Sequence, residues 1–167
     1  MKEGGDPLNI SLLKSDLSQA SLIYEMQIKA FTPLFNKYQD HTTSPANESI
    51  ERIIDRLNES STDYYIIKDF EVHVGAIRIV RKENKVYRVS PVFIVPEHQG
   101  KGIAQKVFAM VEDKYKDARV WELDTILQER SNCYLYEKLG YRKTGQTKQI
   151  NDKMTIVFYE KRMTPSK

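Results

Sequence analysis

The sequence predicts an α/β (α+β) fold: a mixed, mostly antiparallel seven-stranded sheet with four helices packed on it, in the order βααβββαβαββ. Three observations carry this. Apolar residues recur at helical spacing between Leu17 and Leu57. From Asp63 the pattern changes to β-branched and aromatic runs. Between Val92 and Ala104 a strand runs into a two-glycine turn and a helix begins at once.

Ile10–Leu13 reads as a short strand. Ser15 or Asp16 then caps a helix that puts Leu17, Ala20, Tyr24, Ile28 and Phe31 on one face. Thr32–Asn47, with Pro33, Pro45 and the polar run Asp40–Ser44, is expected to be a loose connection. Ser44–Pro45 would open the second helix, in which Ile50, Ile53, Ile54 and Leu57 fall at i, i+3, i+4 and i+7. Tyr64–Lys68, Val72–Arg81 and Lys85–Val95 form an antiparallel meander broken at Asp69–Phe70 and Glu83–Asn84. A third helix follows, with Ile103, Val107, Val111 and Tyr115 aligned, and then the strand Val120–Leu127. A short helix over Ser131–Leu139 ends at Gly140, which tolerates positive φ. Tyr141–Gln149 and Met154–Lys161 close the sheet around an Asn151–Asp152 turn.

With 167 residues, 40% hydrophobic content and a net charge of +3, the chain has room for one domain with a real core, taken as 1–167. Its longest apolar runs, such as Val92–Val95 and Thr155–Tyr159, are far too short to span a bilayer. Met1–Asn9 is polar and unlike a signal peptide, and a single cysteine, Cys133, cannot form an internal disulfide. Both point to the cytoplasm and away from a membrane. The basic residues are scattered along the chain, which disfavours a nucleic-acid partner.

The chemistry concentrates at Val92–Ala104. Amides at a helix start have no intrahelical acceptor, and the helix dipole favours an anion there. Gly100 and Gly102 let the backbone approach a phosphate closely, and Lys101 adds positive charge. Alone, this turn also reads as a plain tight connection. It is neither a Walker loop nor a complete Gly-x-Gly-x-x-Gly fingerprint.

Its context narrows the reading. Gln99-x-x-Gly102-x-Ala104 after a hydrophobic strand resembles the Gln/Arg-x-x-Gly-x-Gly/Ala motif of the GNAT superfamily of N-acetyltransferases. Downstream, Tyr136-Glu137-Lys138-Leu139-Gly140-Tyr141 resembles that family's second signature, in the family's order. The likeness is strongest across Tyr87–Tyr141 and extends more loosely from Asp63 to Lys161.

The resemblance implies an acetyl-CoA-dependent enzyme without a metal. It acetylates a primary amine of a small molecule or peptide by direct attack in a ternary complex, with a homodimer allowed. The fourth and fifth strands would splay. Backbone at Phe93, Ile94 and Val95 would bond the pantetheine arm, with an amide near Phe93 holding the oxyanion. Gln99, Gly100, Lys101, Gly102, Ile103 and Ala104 would hold the pyrophosphate, and Tyr136 would protonate the departing thiolate. Many family members carry an Asn seven residues before this Tyr and a small residue four before it. Glu129 and Asn132 stand there instead, so Asn132 reads either as a cofactor contact or as a helix cap.

No general base is evident. The fourth strand lacks a carboxylate, leaving Glu122 and Asp124, or His73 and His98, each of which also reads as an ordinary surface residue. Cys133 near a helix start suggests thiolate chemistry only weakly, because no His–carboxylate arrangement can be placed beside it. The resemblance places the acceptor wall in Leu17–Leu57, where Phe31–Asp40 reads either as pocket lining or as a hydrophobic loop pinned to the core. The competing reading is a non-catalytic acyl-CoA binding module on the same fold.

Overall fold

Residues 7–164 are described by a computed structural model, so Met1–Asp6 of the polar opening lie outside the described residues. The chain runs β1 (Ile10–Lys14), α1 (Ala20–Tyr38), α2 (Ile50–Asn58), β2 (Thr62–Asp69), β3 (Val72–Arg81), β4 (Val86–Ile94), α3 (Ile103–Lys114), β5 (Val120–Ile126), α4 (Arg130–Lys138), β6 (Arg142–Gln149) and β7 (Thr155–Arg162). This is the expected order. One seven-stranded sheet results, ordered β1-β2-β3-β4-β5-β7-β6. The β4–β5 pair is parallel and the other neighbouring pairs are antiparallel.

Helices cover both faces. On one, Ile23, Met26 and Ala30 of α1 and Ile53 of α2 pack against Tyr64, Ile66, Ala76 and Phe93. On the other, Ile103, Val107 and Val111 of α3 and Tyr136 of α4 meet Tyr65, Ile67, Val89 and Trp121. Successive β2 side chains thus enter opposite cores, which is why Tyr64–Ile67 is a continuous apolar run. Each fully buried isoleucine contributes roughly 1.5–3 kcal/mol by leaving water.

Two features of β4 position the site. Its pairing with β3 shifts between Ile77↔Val92 and Ile79↔Val89, so Ser90 and Pro91 together oppose Arg78 in a β-bulge. The Arg78 Nε–H donates to the Ser90 carbonyl at 2.5 Å. Its pairing with β5 stops at Arg88↔Glu122. Beyond it β4 stays with β3 and β5 stays with β7, and a wedge opens between them.

Three local expectations are corrected. Residues 32–38 are helical: α1 passes through Pro33 to Tyr38 and ends at Gln39 with φ 56°. Pro33 removes the N–H that would bond the Lys29 carbonyl, and the Thr32 hydroxyl donates to the neighbouring Ile28 carbonyl at 2.6 Å. Leu17–Gln19 form a separate 3₁₀ turn capped by Asp16. Helical phase therefore restarts at Ala20, Leu17 stays half exposed, and Ile23, Met26 and Ala30 take the buried face. Ser44 caps its own 3₁₀ turn, Pro45–Asn47, and α2 begins after Ser49.

Candidate active site

The two-glycine turn follows a 3₁₀ turn, Pro96–His98, at the end of β4. The Gln99 side chain folds back and its Nε2 donates to the Ile94 carbonyl at 2.9 Å, tying the turn to the strand. Gly100 and Gly102 have φ of 76° and 80°, the left-handed region that other residues enter at a cost. A Cβ on either would meet nothing within 4 Å, so the turn is open rather than sealed. Gly102 caps α3, a helix of 12 residues without a side-chain cap or an acidic residue in its first turn. The amides of Ile103 and Ala104 are left for an external acceptor beside Lys101. Donor geometry and charge of this kind suit an anion.

From the turn a cleft of about 760 Å³ runs along Val92, Phe93 and Ile94 to Asn132 and Tyr136 of α4. Not all of the strand faces it. The Val95 N–H donates to the Val74 carbonyl at 2.8 Å. Antiparallel pairing alternates, so the Phe93 amide two residues earlier also points to β3. The expectations for amides at Phe93 and Val95 are therefore corrected: the N–H groups aimed into the wedge belong to Val92 and Ile94. The Phe93 ring instead packs edge-on against Phe31 at 5.6 Å.

Tyr136 lies at the inner end of the cleft, among the rings of Phe108, Tyr141 and Tyr159. Burial pushes its phenol well above the ordinary tyrosine range, and the negative charge of Asp124 adds to that. Its hydroxyl makes no hydrogen bond among the described residues.

Asn132 lies inside α4, whose N-cap is Glu129, so the helix-cap reading of Asn132 is corrected. Glu129 accepts from the Tyr38 hydroxyl at 2.5 Å and from Lys37 Nζ at 2.8 Å. Burial alone would raise its carboxyl, but these two donors outweigh it and hold the group below its usual range.

A second cavity, about 440 Å³, lies across the wedge and shares Phe31, Leu34, Val92, Asn132 and Tyr136 with the cleft. Phe31, Leu34, Phe35 and Asp40 line it, the first of the two readings of Phe31–Asp40. Asp124 also lines it, with Oδ2 accepting from Arg88. Glu122, by contrast, lines neither cavity and pairs with Lys82 at 2.7 Å. His73 is exposed on β3 away from both, whereas His98 sits in the cleft with its Nδ1 buried and unpartnered. Cys133 is buried and lines neither. No group of three or more potential metal ligands occurs among the described residues. Nor is any helix there long and apolar enough to cross a membrane.

Sequence reasoning missed the second cavity's Arg88, Lys148 and Phe158, together with the bulge and Gly75. The one available signal was Pro91 inside a strand pattern, which points to a bulge.

Residues 34–163 match the family described as the acetyltransferase (GNAT) domain. No curated protein matches. Among solved structures, the ribosomal-protein-S18-alanine N-acetyltransferase of Escherichia coli superposes with TM-score 0.75 at 8% identity, covering 95% of this chain and 97% of that one. The spermidine N-acetyltransferase of Vibrio cholerae, in complex with CoA and spermine, gives 0.72 at 16% identity, over 90% and 94%. A GNAT-family acetyltransferase of Staphylococcus aureus Mu50 gives 0.71 at 17% identity, over 93% and 100%. At such identities the likeness is one of fold.

Proposed function

Because this chain belongs to the GNAT acetyltransferase family, we propose that it transfers the acetyl group of acetyl-CoA to a primary amine of a small molecule or peptide by direct attack within a ternary complex. The observation that carries the reading is the wedge between β4 and β5. It joins the open anion-binding turn at Gly100–Gly102 to the buried phenol of Tyr136. A pyrophosphate fits the turn because a Cβ-free, positively flanked set of amides is what a close anion requires. A narrow arm fits the wedge because Val92 and Ile94 offer amides along it.

Acetyl-CoA, when bound, supplies the thioester carbonyl at which the amine attacks. The chain's own residues do the rest. Gly100–Ala104 anchor the diphosphate, with Gln99 positioning the turn through Ile94. Val92 or Ile94 N–H stabilises the developing oxyanion, a fixed donor worth several kcal/mol in a dry site, about 2.7–4 in a comparable case. Tyr136, held protonated by its surroundings, gives its proton to the departing sulfur, and the proton that the acylated nitrogen sheds restores the phenol. Asn132 borders the cofactor arm and the acceptor together. Holding both substrates at one phenol supplies much of the rate through proximity. The whole chain acts as a single cytoplasmic acetyltransferase domain.

Thiol release from acetyl-CoA with a panel of amines, together with calorimetry of CoA binding, tests this. Binding with amine-dependent release is expected. Binding without release from any amine would favour the non-catalytic acyl-CoA module, and absence of binding would overturn the assignment.

A further inference from the structure

The acceptor cavity has a specific balance of donors and acceptors. Three carboxylates and three cations line it: Asp40, Glu48 and Asp124 against Arg56, Arg88 and Lys148. The carboxylates are largely spent. Asp40 is buried and occupied by the backbone and hydroxyls of Thr42 and Thr43. Both oxygens of Glu48 are taken by Arg56 at 2.9 and 2.8 Å, with Gln27 Nε2 adding a third donor at 2.8 Å. Asp124 keeps one oxygen, Oδ1, without a partner among the described residues. The cations are less committed. Among the described residues Arg88 uses only Nη2, on Asp124, leaving Nε and Nη1 as donors. Lys148 has no carboxylate within ion-pair distance among the described residues. The remaining wall sets apolar side chains, Phe31, Phe35, Ile156 and Phe158, beside hydroxyls such as Thr43 and Thr125.

A polycation would find one free carboxylate oxygen here and two incompletely paired cations. An anion would find the reverse: the half-buried spare donors of Arg88 want acceptors, and exposed Lys148 adds positive charge at the rim. Resting on the acetyltransferase reading of this site, we infer that the acceptor is an amino-acid-like molecule: one primary amine, an apolar body and a carboxylate. Its amine lies toward Tyr136 and Asp124 Oδ1, its body against the phenylalanines, and its carboxylate toward Lys148 and the spare donors of Arg88.

The test compares matched acceptors with acetyl-CoA: L-leucine and L-phenylalanine, their C-terminal amides, the decarboxylated 2-phenylethylamine, a dipeptide, and spermidine. A charge-assisted contact predicts a kcat/KM about tenfold higher for the acids than for their amides. Lys148→Gln, on an exposed edge strand where folding is not at risk, should narrow that ratio several-fold, and Lys148→Glu should invert it. In parallel, calorimetry of the CoA-loaded protein should show N-acetyl-L-phenylalanine binding and its amide binding more weakly. Acids and amides used equally well, or spermidine preferred, would overturn the inference while leaving the acetyltransferase reading intact. Failure of CoA itself to bind would bring down both.

Discussion

At the scale of single residues, the case turns on Tyr136 and Gly102. Tyr136 stays protonated because its environment disfavours the phenolate, so its proton is available across the working range and beyond it. The sign follows directly: a pKa raised above 10 gives no falling limb from this group at moderately alkaline pH. kcat/KM should climb as the acceptor amine loses its proton and then level off. Tyr136→Phe keeps the ring packing and removes the proton, so turnover should fall about a hundredfold or more with little change in acetyl-CoA affinity. Unchanged kcat would eliminate Tyr136 as the acid. Gly102→Asp strains the turn at φ 80°, modestly because Asp enters the left-handed region more readily than most residues, while placing a negative charge where the diphosphate is anchored. Loss of CoA binding is expected from a folded variant, with circular dichroism reporting the fold and calorimetry the binding.

Among the elements, the β3–β4 contact and the α1–α4 tie hold the wedge open. Gly75 on β3 faces β4 so closely that a Cβ would lie 2.0 Å from the Phe93 carbonyl oxygen. Gly75→Ala must push β4 away, costing about 1–3 kcal/mol as a lower melting temperature and weakening CoA binding, since β4 forms one side of the cleft. A variant with native stability would show that this approach is not needed. The tie of Tyr38 and Lys37 to Glu129 fixes the end of α1 to the start of α4. Because Glu129 is held below its usual range, its contribution is present above the ordinary carboxylate pKa and fades as pH falls through the depressed value. Glu129→Gln should therefore cost about 1–2 kcal/mol near neutrality and almost nothing in strong acid, measured by denaturant titrations across pH. These features also mark the limit of what could be read in advance. The central strands, α2, α3 and the Gly100–Gly102 turn are written in local periodicity and turn chemistry. The need for Gly75 and the Tyr38–Glu129 bond arise between chain segments far apart in sequence, and no local pattern encodes them; the phase reset at Ala20 does follow from a local Asp16–Gln19 capping box, which the apolar spacing masked.

For the whole molecule, the arrangement of the two cavities dictates the order of bond making. The cofactor cleft and the acceptor cavity reach the same phenol from opposite sides of the wedge and share Val92 and Asn132, so both substrates can be present at one point together. Cys133 lines neither, and its Sγ is directed at the Ile126 and Leu127 carbonyls at 3.8 Å, where no acyl donor can reach it. That placement argues against a relay through an acyl-cysteine and supports the direct transfer proposed above. Initial-rate plots with acetyl-CoA and amine both varied should intersect, because neither product leaves before both substrates bind. The intact mass should be unchanged after incubation with acetyl-CoA alone, and Cys133→Ala should retain activity with about 1 kcal/mol of lost stability from the small cavity it leaves. Parallel lines, or an added acetyl mass lost in Cys133→Ala, would show that the two cavities act in turn and not together.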